Sequence, residues 1–231
     1  MENGKWKAGY NPGAVVYRDA SVTNLLLLYN IALTEIDEVD SFFPFYRFYD
    51  TDNWNIEHIL AKNDDGLDNF EEFSNFLLDT KSLISSINEE EISQENKAIL
   101  RDLCTELEEL IATKNKGVCK KKIAEINEKI AEFFSVDDFN NLCLLDQSTN
   151  IKVGKKPFRR KRNIVQKLDD TIMIDGGVYI PIATNYVFSK KSTPSEFYQI
   201  NYWSTKDREF YLKKMQDTIT NFLKTEENGA V

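Results

Sequence analysis

Three scarcities bound what this 231-residue sequence can do: one histidine, three cysteines and no long apolar run. Imidazole chemistry of any kind falls on His58. Cys104, Cys119 and Cys143 form no C-x-x-C pair and are odd in number, so neither a disulfide framework nor a zinc knuckle is suggested and reduced, half-buried thiols are the expectation. No zinc is expected. The longest apolar runs, such as Leu25 to Leu28, are far too short to span a bilayer, and Met1-Glu2-Asn3-Gly4-Lys5 lacks the apolar stretch of a signal peptide. The expectation is a cytoplasmic chain without a membrane partner. No internal repeat and no low-complexity linker divides it.

Positive charge is also in deficit, at net -9, which argues against a polyanionic partner until its distribution is read. Asn63 to Asp138 holds 19 acids and 9 bases, and the rest of the chain 20 bases against 19 acids. The acidity therefore belongs to one segment. Lys152 to Arg162, by contrast, carries seven cations in eleven residues, with no acid and with Phe158 inside. Its cations are Lys152, Lys155, Lys156, Arg159, Arg160, Lys161 and Arg162, the one phosphate-friendly patch in the sequence.

What is present is mostly helical periodicity. Residues 20–33, led by Ser21 as N-cap, predict a buried helix. Phe42 to Phe45 reads as an extended apolar segment broken by Pro44, and Trp54 to Leu60 alternates like a short strand. Three apolar stripes follow: Phe70, Phe73, Leu77; Ile99, Leu103, Leu107, Leu110, Ile111; and Ile123, Ile126, Ile130, Phe133, with Gly117 expected to separate the last two. They predict a charged helical insertion at about 63–138, a spacer whose stripes largely satisfy one another, so that the remaining core folds without it. A partner-binding arm is the other reading of this segment. Then come an extended Asn141 to Leu145 and a helix starting near Pro157. Ile172 to Ile174 and Val178 to Ile182 flank Asp175-Gly176-Gly177, a β-hairpin signal. Last is a capping-box start, Ser204-x-x-Asp207, leading a helix with Tyr211, Met215, Ile219 and Phe222 on one face.

A lone histidine beside Ile56 and Ile59 is more often a satisfied, part-buried side chain than a catalyst. Its company changes the reading: Glu57 directly before it, Asn141 and Asn150 nine residues apart, then the basic run. This order resembles the HNH, or ββα-metal finger, nucleases. More closely, the chain is similar to the HNH domain at the C-terminus of GmrSD-like, modification-dependent restriction proteins. The likeness rests on Phe43-Pro44-Phe45, Trp54 to Ile59, Asn141 to Asn150, Pro157-Phe158 with Lys161-Arg162, Ile180-Pro181-Ile182 with Thr184, and Trp203 with Asp207 and Tyr211. Lys155 and Asn140 depart from the pattern, standing where relatives often carry asparagine and glycine.

The resemblance implies a metal-dependent endonuclease that hydrolyses DNA phosphodiester bonds in restriction or anti-phage defence. It implies His58 as general base, Glu57 and Asn150 as oxygen ligands of Mg2+ or Mn2+, and Asn141 as the brace of the histidine loop. Lys161, Arg162 and the other cations of the run would contact phosphates. Strict strand alternation puts Glu57 and His58 on opposite faces, so both reach one metal only if the strand ends or bulges there. Trp203, Tyr211 and Ile180 to Ile182 are read as core packing. The implied partners are DNA and a nucleotide-binding sensor, either an N-terminal domain or a separate subunit, because the sequence carries no such signature. The expected fold is α+β: one domain with a ββα-metal core embedded in helices, the insertion, and a C-terminal hairpin plus helix. A reading from another class is a catalytically weak nucleic-acid-binding or regulatory module that keeps this fold.

Overall fold

In the computed structural model the described residues are 21–37, 42–46, 54–60, 67–87, 89, 92–134, 137–175, 178–197 and 202–229. They are largely helical, with one two-stranded antiparallel sheet, an arrangement compatible with the α+β class. Helix α1 (Val22–Asp37) buries Val22, Leu26, Tyr29 and Leu33, an i, i+4, i+7, i+11 stripe that makes one continuous face. That face packs on the last helix, with the Tyr29 and Tyr211 rings 5.9 Å apart. Truncating Leu26, 1% exposed, to alanine would cost about 2–5 kcal/mol by transfer and cavity terms. Residues 42–44 carry no regular structure and residues 45–46 are helical; Phe45 N–H donates to the Phe43 carbonyl at 2.8 Å, and of the three phenylalanines only Phe43 is buried.

Strand β1 (Trp54–His58) pairs with β2 (Leu142–Asp146), with Trp54 opposite Asp146 and His58 opposite Leu142. The apolar run Leu142 to Leu145 is continuous because every residue of β2 is buried, on both faces. Asp146 then opens helix α5 (Gln147–Val153), its Oδ1 accepting from the Ser148 and Thr149 amides at 2.8 and 3.1 Å. Gly154 ends it at φ +48°, a conformation without cost only for glycine.

Between the strands lie α2 (Phe70–Ser86), α3 (Gln94–Ala112) and α4 (Lys116–Phe134), at the positions expected of the insertion. Asn69 and Glu72 form a reciprocal capping box on α2, and the Ser93 side chain caps α3. The break between α3 and α4 falls at Lys114, with φ 54°, not at Gly117, which lies inside α4. The insertion's three helices pack chiefly on one another, as their stripes imply, but they are not sealed off from the rest of the fold. Their buried residues belong to one hydrophobic cluster with β2 and the C-terminal helices. Phe76, Leu83 and Ile130 line a crevice opposite Leu60, Phe158 and Tyr202, and Asp79 pairs with Arg160 at 2.9 Å.

Helix α6 (Phe158–Asp175) starts behind Pro157, whose carbonyl accepts from Arg160 and Lys161. It contradicts the expected hairpin: residues 172–174 belong to this helix, 178–181 form no strand, and Ile182 opens α7 (Ile182–Ser189). Gly176 and Gly177 lie outside the described residues. A Gly-Gly turn makes a hairpin only between segments that can pair, and the i, i+3, i+7 stripe Phe158, Lys161, Val165 commits the first flank to a helix. The second flank packs by its rings, Tyr179 lying 6.0 Å from Trp54 and 6.3 Å from Phe43. Helix α8 (Thr205–Gly229) carries the expected capping box: Asp207 N–H donates to Ser204 Oγ at 3.0 Å and Ser204 N–H to Asp207 Oδ2 at 2.8 Å. Tyr211, Met215 and Ile219 form its buried face. No described helix is long and apolar enough to cross a membrane.

Candidate active site

The site grows from the end of β1. Alternation along β1 and its register with β2 place Asn55, Glu57, Cys143 and Leu145 on one face of the ribbon. Trp54, Ile56, His58, Leu142, Leu144 and Asp146 take the other. The pairing runs through His58 without a bulge, so Glu57 and His58 diverge.

His58 Nε2 lies 3.1 Å from Asp137 Oδ1, with side-chain exposures of 17% and 45%. When the Asp137 carboxylate is ionised it can only accept, so in that state Nε2 carries the proton toward Asp137 and Nδ1 the lone pair. A carboxylate on one ring nitrogen fixes the tautomer and makes the imidazole a better base at the other. Asp137 is the site residue that sequence reasoning missed, counted there as the end of the acidic insertion. A signal was present: in an antiparallel pair where His58 meets Leu142, residues just before 142 must lie beside the end of β1.

Asn141 clamps the chain after His58. Its Oδ1 accepts from Leu60 N–H at 2.8 Å, its Nδ2 donates to the Leu60 carbonyl at 3.0 Å, and its own carbonyl accepts from Ile59 N–H at 2.8 Å. Because Asn141 is fully buried, breaking either side-chain bond leaves a desolvated group costing about 1–3 kcal/mol. Two aromatics hold this clamp from behind. Trp203 Nε1 donates to the Asn140 carbonyl at 3.0 Å and Tyr211 Oη to the Leu142 carbonyl at 3.1 Å. Both are core residues that pin the site backbone.

On the opposite face the Glu57 carboxylate is paired with the Lys161 ammonium, which also donates to the His58 carbonyl at 2.6 Å. Desolvation raises the Glu57 pKa, and the Lys161 charge opposes that rise. Opposite Glu57, burial and the nearby carboxylate push the Cys143 thiol up to about 12. Lys161 is fully buried, which corrects its assignment as a phosphate contact. Phe158 stacks on Phe188 and Trp203 at 5.6 and 6.0 Å, which fixes the face of α6 that turns inward, and Lys161 is one turn further on that face.

The other cations of the run divide by exposure. Lys152, Lys155 and Arg159 are exposed, while Lys156, Arg160 and Arg162 are half-buried. Lys156 donates to the Lys152 carbonyl at 2.9 Å, Arg160 pairs with Asp79, and Arg162 Nε is buried without a hydrogen-bond partner. Asn150 lies in α5, which packs against both strands, and its Oδ1 is buried with no hydrogen-bond partner.

The Mg2+ or Mn2+ site implied by Glu57 and Asn150 is met only in half. The orphaned Asn150 oxygen fits a cation ligand. Glu57 does not, because its carboxylate turns away from the His58 face and already faces a buried cation. Among the described residues no three acidic, histidine or cysteine side chains converge as a metal site.

Compared with known proteins, the chain matches no family model, no curated protein and no solved structure.

Proposed function

We propose that the chain is an HNH-type endonuclease that hydrolyses DNA phosphodiester bonds, acting in restriction or anti-phage defence, with the β1, β2 and α5 segment as its ββα core. The observation that carries this reading is the His58–Asp137 pair at the end of a strand whose following backbone is clamped by Asn141. An imidazole held by a carboxylate is a general base matched to cellular pH, with an unperturbed pKa of about 6.5. In the proposed reaction His58 Nδ1 takes a proton from the attacking water as its oxygen bonds to phosphorus, the backbone P–O bond breaks, and the leaving oxygen takes a proton from solvent and departs as a hydroxyl. Asp137 stabilises the imidazolium that forms. Lys152 in the last turn of α5, Lys155 just after it and Arg159 at the start of α6, all exposed, hold flanking phosphates and give position without sequence preference.

The divalent ion belongs to this reading through the resemblance. Of the two implied ligands, Asn150 supplies an oxygen without a hydrogen-bond partner, and the proton abstraction from water is assigned to the chain's own residues. The pairing of Glu57 with Lys161 favours the second reading, a nucleic-acid-binding or regulatory module with weak or no catalysis.

Nicking of supercoiled plasmid, with Mg2+, with Mn2+ and with chelator, separates the two. The nuclease reading expects nicking that falls about ten- to a hundredfold in Asp137→Asn, the scale on which outer partners of a positioned imidazole act. Plasmid retained in a gel shift but left intact under every condition, with any required partner added, would replace it by the binding module.

A further inference from the structure

We infer that Lys161 is the resident cation of Glu57, a positioning residue that ties α6 to the end of β1, and that Glu57 is therefore not a ligand of any divalent ion this chain binds. Lys161 is 0% exposed, and its ammonium has two acceptors 103 and 104 residues away in sequence, the His58 carbonyl and the Glu57 carboxylate. Both belong to consecutive residues of β1. One buried donor therefore fixes the strand at the residue that carries the imidazole.

The choice between Lys161 and a metal at Glu57 is electrostatic. A divalent ion on this carboxylate would stand beside a buried ammonium, and in a desolvated setting like charges at such range repel strongly. Lys161 has no exposed surface and both of its acceptors lie inside, so its ammonium is held where a surface lysine would swing out to solvent. Removing the lysine alone would leave a buried carboxylate unpaired, an anion that a metal could then neutralise. Removing both charges together leaves a neutral pair of similar shape.

This inference stands apart from the nuclease reading, since its readout is metal uptake and stability, not cleavage. Mn2+ is titrated into the full chain and the unbound ion followed by electron paramagnetic resonance, for wild type, Glu57→Gln, Lys161→Met and the double variant. Wild type and Glu57→Gln are expected to take up Mn2+ alike, whether bound elsewhere or not at all. Lys161→Met gains uptake that Glu57→Gln abolishes in the double variant. Its melting temperature falls by about 10 °C, and the double variant recovers part of the loss, the His58 carbonyl still lacking its Lys161 donor. Glu57→Gln weakening Mn2+ binding tenfold or more in otherwise unaltered protein would overturn the inference. Should Lys161→Met fail to fold, the wild-type and Glu57→Gln comparison still decides it. Loss of cleavage in His58→Ala, or its absence, leaves both results as they stand.

Discussion

Residues within a few positions of one another carry unlike burdens in this chain. Glu57 and His58 are neighbours, yet one meets a buried lysine and the other a half-exposed aspartate, because a strand without a bulge sends them to opposite faces. The three cysteines show the same dependence on setting. They are fully buried, not half-buried as composition led one to expect, and desolvation raises all three thiols, Cys104 to about 11 and Cys143 to about 12. At about pH 8 a thiol with that higher pKa is ionised to only about one part in ten thousand, and the thiolate is the nucleophile. Native protein is therefore expected to resist iodoacetamide at all three positions while denatured protein alkylates at each. Stoichiometric labelling of Cys143 under native conditions, read by mass spectrometry, would show that β2 opens far more readily than its burial implies.

At the scale of elements, helices were legible wherever an apolar stripe ran long enough, as in α1, α3, α4 and α8, and the Ser204–Asp207 box marked its helix start correctly. The strand pair was legible from Trp54 to His58 and Leu142 to Leu145. Failures came where a local signal competed with a longer pattern. Asp175-Gly176-Gly177 resembles a hairpin turn, but α6 had already claimed its first flank. The basic run reads as one patch in sequence, yet helical geometry divides it, sending Lys161 inward with Phe158 and Val165 and leaving Arg159 outside. Charge reversal at Lys152, Lys155 and Arg159 should thus weaken DNA binding across sequences and reduce the salt slope by about two to three, one for each phosphate no longer neutralised. A binding titration with an unchanged slope would return these residues to solvated surface.

Across the whole molecule, the insertion and the site share one core. Arg208, on α8, donates to the carbonyl of Phe134 at the end of α4, Asp79 on α2 pairs with Arg160, and a single hydrophobic cluster runs through both parts. No periodicity within 63–138 could reveal this, because which face of a helix meets a distant strand is a tertiary fact. Replacing residues 67–134 by a short linker should therefore leave a chain without a cooperative melting transition. A sharp calorimetric transition in the deletion would make the insertion separable after all.

The central claim is that His58 is the reacting base at a site assembled from β1, the Asn141 clamp and Asp137, and a single-turnover comparison of wild type with His58→Ala on plasmid DNA tests it most directly. With Mg2+ or Mn2+ and any required partner present, His58→Ala is expected to bind DNA and melt as wild type does, yet cleave about a hundredfold more slowly or worse, the scale for loss of a positioned general base. Equal cleavage rates for the two proteins would contradict the account.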